Sequence, residues 1–291
     1  MSGGDLAATG ALLNDVPSAD LGRISTPRAS LSYQANDDVY LYASYAAGFT
    51  AGEIVHDDCA GTDVVLRPEV VDTREIGLRS EWLDNHLRFN ATYFNSHWDH
   101  MRVPKTVFDA NGQPLPCLIQ TDGGVAKAFG LEFELDYVPS QRWELNFALG
   151  LLDSKYLDIG NPPPNGTGLQ PGIPFAFAPK TSYSIGLRYK LPLRDGSALL
   201  LRGDYGWMDD YQRQASAEFQ TNKPEPAYGL LNARIIYTPA HAKWQLSFFG
   251  TNLTNAWYVN GGFNLGYAWG YDAALIGRPR EVGVGVHFSF D

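Results

Sequence analysis

The chain has 291 residues and a formal net charge of −10, and no Lys/Arg cluster interrupts the acidic balance, so a nucleic-acid partner is not expected. No run of 18 apolar residues occurs, which excludes an ordinary transmembrane helix. It does not exclude membrane strands, which hide from hydropathy because every second residue is polar. Two cysteines, Cys59 and Cys117, are too few for a disulfide-built scaffold but allow one bridge.

Residues 1–25 read as a loop-like segment without a secretory signal, since no Lys or Arg precedes the weakly apolar stretch Leu6–Leu13. From there to residue 291 the pattern predicts strands in pairs joined by short turns. Arg28–Gln34 and Val39–Phe49 meet through Ala35–Asp38, and Thr73–Trp82 and Leu87–Val103 through Leu83–His86. Val125–Val138 and Trp143–Leu157 meet through Pro139–Arg142, and Thr181–Leu191 and Ala198–Tyr211 through Arg194–Ser197. Ala227–Thr238 and Trp244–Val259 turn at Pro239–Ala242, and Arg280–Phe290 is a last, unpaired strand. The turns carry Asn, Asp, Gly and Pro, which reverse a chain at low cost. Longer segments at about 50–69, 104–124, 158–178, 212–226 and 260–279 separate the pairs. Connections thus alternate short and long, the rhythm of an outer-membrane barrel with tight periplasmic turns and long outer loops.

Within strands the side chains alternate with period two. In Trp143–Leu151 every odd position is large and apolar. Glu132, Glu134 and Asp136 share one face of their strand, and Arg188 and Arg234 oppose the apolar faces of theirs. A charge at the lipid midplane costs about 2–4 kcal/mol, so these five side chains are expected to face a wet, charged lumen. Trp82, Tyr137, Trp143, Tyr189, Tyr237 and Trp244 flank the short turns on the apolar faces and read as a periplasmic girdle. Val282, Val284, Val286, Phe288 and Phe290 form the apolar face of the last strand, the expected assembly signal, opposite Gly283, Gly285, His287 and Ser289.

No nucleophile, phosphate loop or cofactor fingerprint is present, so neither an enzyme nor a cofactor is expected. His97 and His100 are spaced for a helix and not for a strand, and His56–Cys59 is metal-like in composition only; no metal site is assigned. Trp257, Tyr258, Phe263, Tyr267, Trp269 and Tyr271 are outer-loop aromatics that suit stacking on a ligand or packing of loops. Cys59 and Cys117 fall in successive outer loops on an oxidising exterior and are expected to lie within bridging distance.

An ordered set of short stretches resembles the C-terminal half of the barrel of TonB-dependent outer-membrane receptors. They are Asp38-Val-Tyr-Leu-Tyr-Ala-Ser-Tyr-Ala-Ala-Gly-Phe49, Pro68-Glu-Val-Val-Asp-Thr-Arg-Glu-Ile-Gly-Leu78, Gly130-Leu-Glu-Phe-Glu-Leu135 and Ala178-Pro-Lys180. Pro226-Ala-Tyr-Gly-Leu-Leu-Asn-Ala-Arg234, Gly250-Thr-Asn-Leu-Thr-Asn255 and Gly277-Arg-Pro-Arg280 complete it. The resemblance implies an all-β, antiparallel transmembrane meander, here about eleven strands of a 22-stranded barrel, open if alone. It implies residence in the outer membrane of a Gram-negative bacterium, contact with outer-membrane lipid, and insertion by the barrel-assembly machinery. It implies energy-coupled uptake of a ferric siderophore or another scarce nutrient, with TonB engaged only through a plug domain. No plug segment is readable, and Asp291 follows the aromatic Phe290 that would normally end such a chain. The expectation is a receptor barrel fragment over residues 26–291 that does not transport by itself. The alternative is a non-transporting remnant or a passive, porin-like barrel.

Overall fold

The computed structural model describes residues 24–57, 61–108, 114–160, 169–213, 224–265 and 271–290, and side chains at 104–119, 263–265 and 272 lie outside that description. Every regular element among the described residues is a strand. Eleven of them form one antiparallel sheet. In wall order they are β1 (Arg28–Asn36), β2 (Val39–Thr50), β5 (Glu69–Trp82), β6 (Leu87–Phe108), β7 (Pro114–Ser140) and β8 (Trp143–Ile159). β9 (Thr181–Pro192), β10 (Ala198–Met208), β11 (Tyr228–Thr238), β12 (Trp244–Thr251) and β15 (Glu281–Phe288) complete it. Two hairpins stand apart in the outer loops: β3 (Glu53–Asp57) with β4 (Thr62–Leu66), and β13 (Val259–Leu265) with β14 (Tyr271–Ile276).

The expected eleven-stranded meander is therefore present, with three differences at its outer end. The segment 104–124 continues β6 and β7 as one long hairpin. Its prolines read as a loop, yet proline is tolerated at irregular or edge pairing, and register shifts occur between Trp98, Met101 and Val103. The strand expected to reach Val259 stops at Thr251. Asn252, at φ 47°, reverses the chain, and its side-chain amide bonds the Ala256 backbone and donates to the Arg278 carbonyl. The loops at 50–69 and 260–279 each hold a hairpin.

Register fixes the faces. Leu135 stands opposite Phe89 and Phe147, and Phe147 opposite Ile185, so these share one face. Glu134 stands opposite Asn90 and Ala148 on the other. Among the described residues no second layer covers the apolar face. Leu31, Ile76, Leu187, Ile235, Phe248 and Val284 are 42–75% exposed. Each such side chain gains about 1.5–3 kcal/mol on leaving water, so the sheet needs an apolar solvent along this face. On β7 the apolar band runs from Tyr137 to Phe129. Eight residue steps at about 3.4 Å, tilted by about 40°, span roughly 20 Å, near the height of a barrel's apolar band. At the turn end the Trp143 and Tyr189 rings lie 4.2 Å apart and those of Tyr237 and Trp244 6.1 Å apart. The fully buried packing lies at the opposite end, where Val103, Ile159 and Leu169 meet Tyr156 and Ile173.

Glycine permits two close approaches in the wall. A Cβ on Gly77 would fall 2.1 Å from the Tyr42 ring, and one on Gly130 would fall 2.1 Å from the Leu151 carbonyl oxygen. Tyr42 thereby lies flat across β5 and shares a hydrogen bond of 3.1 Å with Thr92 on β6.

Candidate functional site

The polar face of the sheet is laced across its strands. Asn90 donates to Glu134 at 3.2 Å, and Asn146 to Asp136 at 2.6 Å. Arg88 pairs with Glu81 at 2.9 Å and Arg188 with Glu144 across strands, while Arg202 and Asp204 pair at 2.8 Å along β10. Arg79 sits 5.5 Å over the Tyr42 ring and Arg234 5.4 Å over Phe249. Thus Glu134, Asp136, Arg188 and Arg234 are held by cross-strand neighbours. Glu132, between Thr92 and Gly150, has no partner among the described residues. Beside it Gly150, Ser182 and Gly206 leave an open concavity of about 550 Å³, lined toward the outer end by Met208 and Tyr228.

Above the wall, loops bring aromatic rings together from distant positions. Phe175 meets Trp98 at 5.5 Å and Tyr156 at 5.1 Å, and Phe177 meets Tyr211 at 5.7 Å. Tyr228 and Tyr258 stack at 4.8 Å. The Tyr211 hydroxyl donates to the Val259 carbonyl at 2.9 Å, and burial pushes its pKa above the usual phenol value. Arg213 and Glu225 pair at 2.7 Å with side chains only 15% and 10% exposed. These contacts tie the loop after β10 to the one after β12.

A second set of contacts pins the β3–β4 hairpin. At its entry, Arg102 on β6 pairs with Glu53 at 2.8 Å and donates to the Ala51 carbonyl. At its exit, the Arg67 guanidinium and backbone N–H both donate to Asp122 of β7, at 2.8 and 2.7 Å. The Arg67 side-chain hydrogen bond holds the Asp122 carboxyl below the usual carboxylate range. A folded pKa below the unfolded value, about 3.9, means that the contribution is complete above that value. It is lost as pH falls through the lowered pKa. Pepsin cleavage of the hairpin is therefore expected to rise below about pH 4 in the native chain. Asp122→Asn should leave the hairpin loosened, by limited proteolysis, already at neutral pH.

Of the aromatics singled out from sequence, Tyr258 is within the packed cluster, while Trp257 and Tyr271 are 64% and 54% exposed. Phe263 pairs with Ala273 through the backbone, but its side chain, with Tyr267 and Trp269, lies outside the described residues. The same holds for Cys59 and the side chain of Cys117. His97 is 3.5 Å from Asp99 on the outward side. Among the described residues no three His, Cys, Asp or Glu side chains are arranged to hold a metal. Val282, Val284, Val286 and Phe288 share the outward face of β15 at 56–77% exposure, and the Phe290 ring is 6.5 Å from that of Phe288. Trp98, Tyr156, Phe175, Phe177 and Tyr211 were not candidates on sequence, since no local spacing links them.

An antiparallel wall with one lipid-suited face, one hydrogen-bonded polar face, tight turns at one end and structured loops at the other defines a transmembrane β-barrel protein. Residues 3–253 match the family described as "TonB dependent receptor-like, beta-barrel", and the chain belongs to that family. Its members are β-barrel proteins of the Gram-negative outer membrane, and this chain shares that location. The chain is 27% identical over 216 residues to a probable TonB-dependent receptor, BfrD, of Bordetella pertussis, covering 66% of the chain and 27% of that protein. It is 25% identical over 221 residues to a probable TonB-dependent siderophore receptor, PiuA, of Acinetobacter baumannii, covering 68% and 28%. Among solved structures, the ferric yersiniabactin uptake receptor FyuA of Yersinia pestis superposes with a TM-score of 0.74 at 18% identity, over 91% of the chain and 37% of that structure. The crystal structure of PiuA gives 0.67 at 20% identity over 90% and 35%. The chain thus spans 27–28% of the length of these curated relatives.

Proposed function

We propose that this chain supplies the lumen wall and outer mouth of a receptor for energy-coupled uptake of ferric siderophores or a similar scarce nutrient. The observation that carries the reading is the packed aromatic layer around Trp98, Phe175, Tyr211, Tyr228 and Tyr258, set above a polar, charged concave wall. Aromatic faces and buried hydroxyls form a rigid rim for a planar, polar chelate at low entropic cost. The wall below presents Glu132 and the small residues Gly150, Ser182 and Gly206, leaving a wet passage or a seat for a plug. Coupling to TonB in this reading runs through such a plug and not through the wall. Residues 26–291 act in it as a partial barrel domain, and the strand Val282–Phe290 as the part read by the assembly machinery.

The test is accumulation of radiolabelled iron chelates in cells without their own receptor. The chain exported alone is expected to give no TonB-dependent uptake, and joined to a plug and the remaining wall it should give uptake. Within that joined receptor, Tyr228→Ala is expected to weaken chelate binding about tenfold while leaving its amount in the membrane unchanged. Energy-dependent accumulation by the chain alone would overturn the reading. Energy-independent leakage of small solutes would favour a passive barrel.

A further inference from the structure

Three arginines stand side by side on the polar face, in one cross-strand row toward the turn end of the wall. Arg188 on β9 is opposite Arg202 on β10, and Arg202 is opposite Arg234 on β11. Glu144 on β8 begins the row and Phe249 on β12 ends it. One step nearer the turns, Lys190 shares the face of Arg188. Like charges directly opposite on a sheet are destabilising unless something neutralises them.

The nearby carboxylates do so only in part. Glu144 pairs with Arg188, and Arg202 donates to both oxygens of Asp204 at 2.8–3.0 Å. Asp136, diagonal to Glu144 on β7, takes the Asn146 amide. The Arg234 guanidinium and the Lys190 ammonium have no ion-pair or hydrogen-bond partner among the described residues. Arg234 is nonetheless held in place. It lies 5.4 Å from the centroid of the Phe249 ring, and that ring lies over Gly283, where a Cβ would fall 2.5 Å from its Cζ. The glycine makes room for the ring, the ring supports the guanidinium, and the fork of N–H donors is left open. Toward the outer end, Gly186 presents no side chain between Asn146 and Asp204, and an open hollow of about 430 Å³ lies beside Arg202.

We infer that Arg188, Arg202 and Arg234 form a binding site for a small polyanion, one that carries two or more carboxylate or phosphate groups. Strands lie about 4.8 Å apart, so the row spans roughly 10 Å, a reach that a compact polyanion bridges and a lone carboxylate does not. Guanidinium forks take such oxygens in pairs, and Lys190 adds charge from the turn side. The site requires only that this face be wet, and it stands whether or not the chain takes part in uptake.

The test uses the full chain folded in maltoside micelles and isothermal titration calorimetry at low salt. The probes are pyrophosphate and tricarballylate, and the control is the trimethyl ester of tricarballylate, which keeps the skeleton without the charge. At least one of the two anions is expected to bind and the ester not, and the tighter of the two shows which oxyanion the row prefers. Arg234 is exposed, so glutamine is tolerated by the wall there. Arg234→Gln should weaken binding about tenfold or more, the loss of charge-assisted hydrogen bonds. Phe249→Leu keeps every charge and should weaken binding about threefold, since the guanidinium loses the ring that orients it. Arg28→Gln, an equal loss of charge on the edge strand β1, should leave binding unchanged. Failure of both anions to bind, equal binding of the ester, native affinity in Arg234→Gln or Phe249→Leu, or an equal loss in Arg28→Gln would overturn the inference.

Discussion

Phe147→Arg is expected to destabilise the membrane-inserted chain by about 2–4 kcal/mol, the cost of an arginine at the lipid midplane of a barrel. Phe147 is the central residue of the outward band on β8, between Trp143 and Leu151, and faces Leu135 and Ile185 across the neighbouring strands. The adjacent substitution, Ala148→Arg, should cost less than about 1 kcal/mol. Ala148 points to the polar face, opposite Glu134 and Ser184, where a new cation finds a carboxylate and water. Denaturant titration of both variants folded into phosphatidylcholine vesicles measures the difference. Similar losses for the two would show that the faces are wrongly assigned, because period two is the whole basis of the contrast.

The second large effect concerns the loops. Arg213→Ala leaves the Glu225 carboxylate, 10% exposed, without its partner at 2.7 Å. Removing one member of a nearly buried pair strands the other charge, here at about 2–3 kcal/mol. The loss should stay local, since the pair joins outer segments and not wall strands. Proteolytic nicking of the segments flanking β11 is then expected to rise roughly 30- to 150-fold, while unfolding of the wall changes little. Removing both side chains, in Arg213→Ala with Glu225→Ala, should recover part of the protection. If single and double variants are nicked alike, the pair does not hold the loops.

The wall was legible because its signal is local and repeated. Segments such as Leu131–Tyr137 and Trp143–Leu151 alternate over long stretches, and each turn carries its own Asn, Asp, Gly or Pro. The hairpins β3–β4 and β13–β14 were not, since strands of five to seven residues with Gly261 and Gly262 among them give too few alternations to stand out. The extension of β6 and β7 was masked by Pro104, Pro114 and Pro116, and the early end of β12 depends on one left-handed asparagine. The outer aromatic cluster was beyond reach for another reason. Trp98, Tyr156, Phe175 and Tyr211 come from four separate segments, and only the folded loops make them neighbours. The charged side chains of the polar face were readable one by one, but their partners across the strands required the register.

The two edges of the sheet set a rule of parity. β1 runs from the loop end toward the tight turn at Asp37–Asp38, and β15, antiparallel to β12, also runs from the loop end toward the turn end. Two strands pointing the same way pair only in parallel. Neither curling of this sheet on itself nor a ring of identical copies in one membrane therefore gives an all-antiparallel wall. Whatever completes the cylinder must insert an odd number of strands between these edges. The first and last of those strands must both climb from the periplasm toward the cell surface.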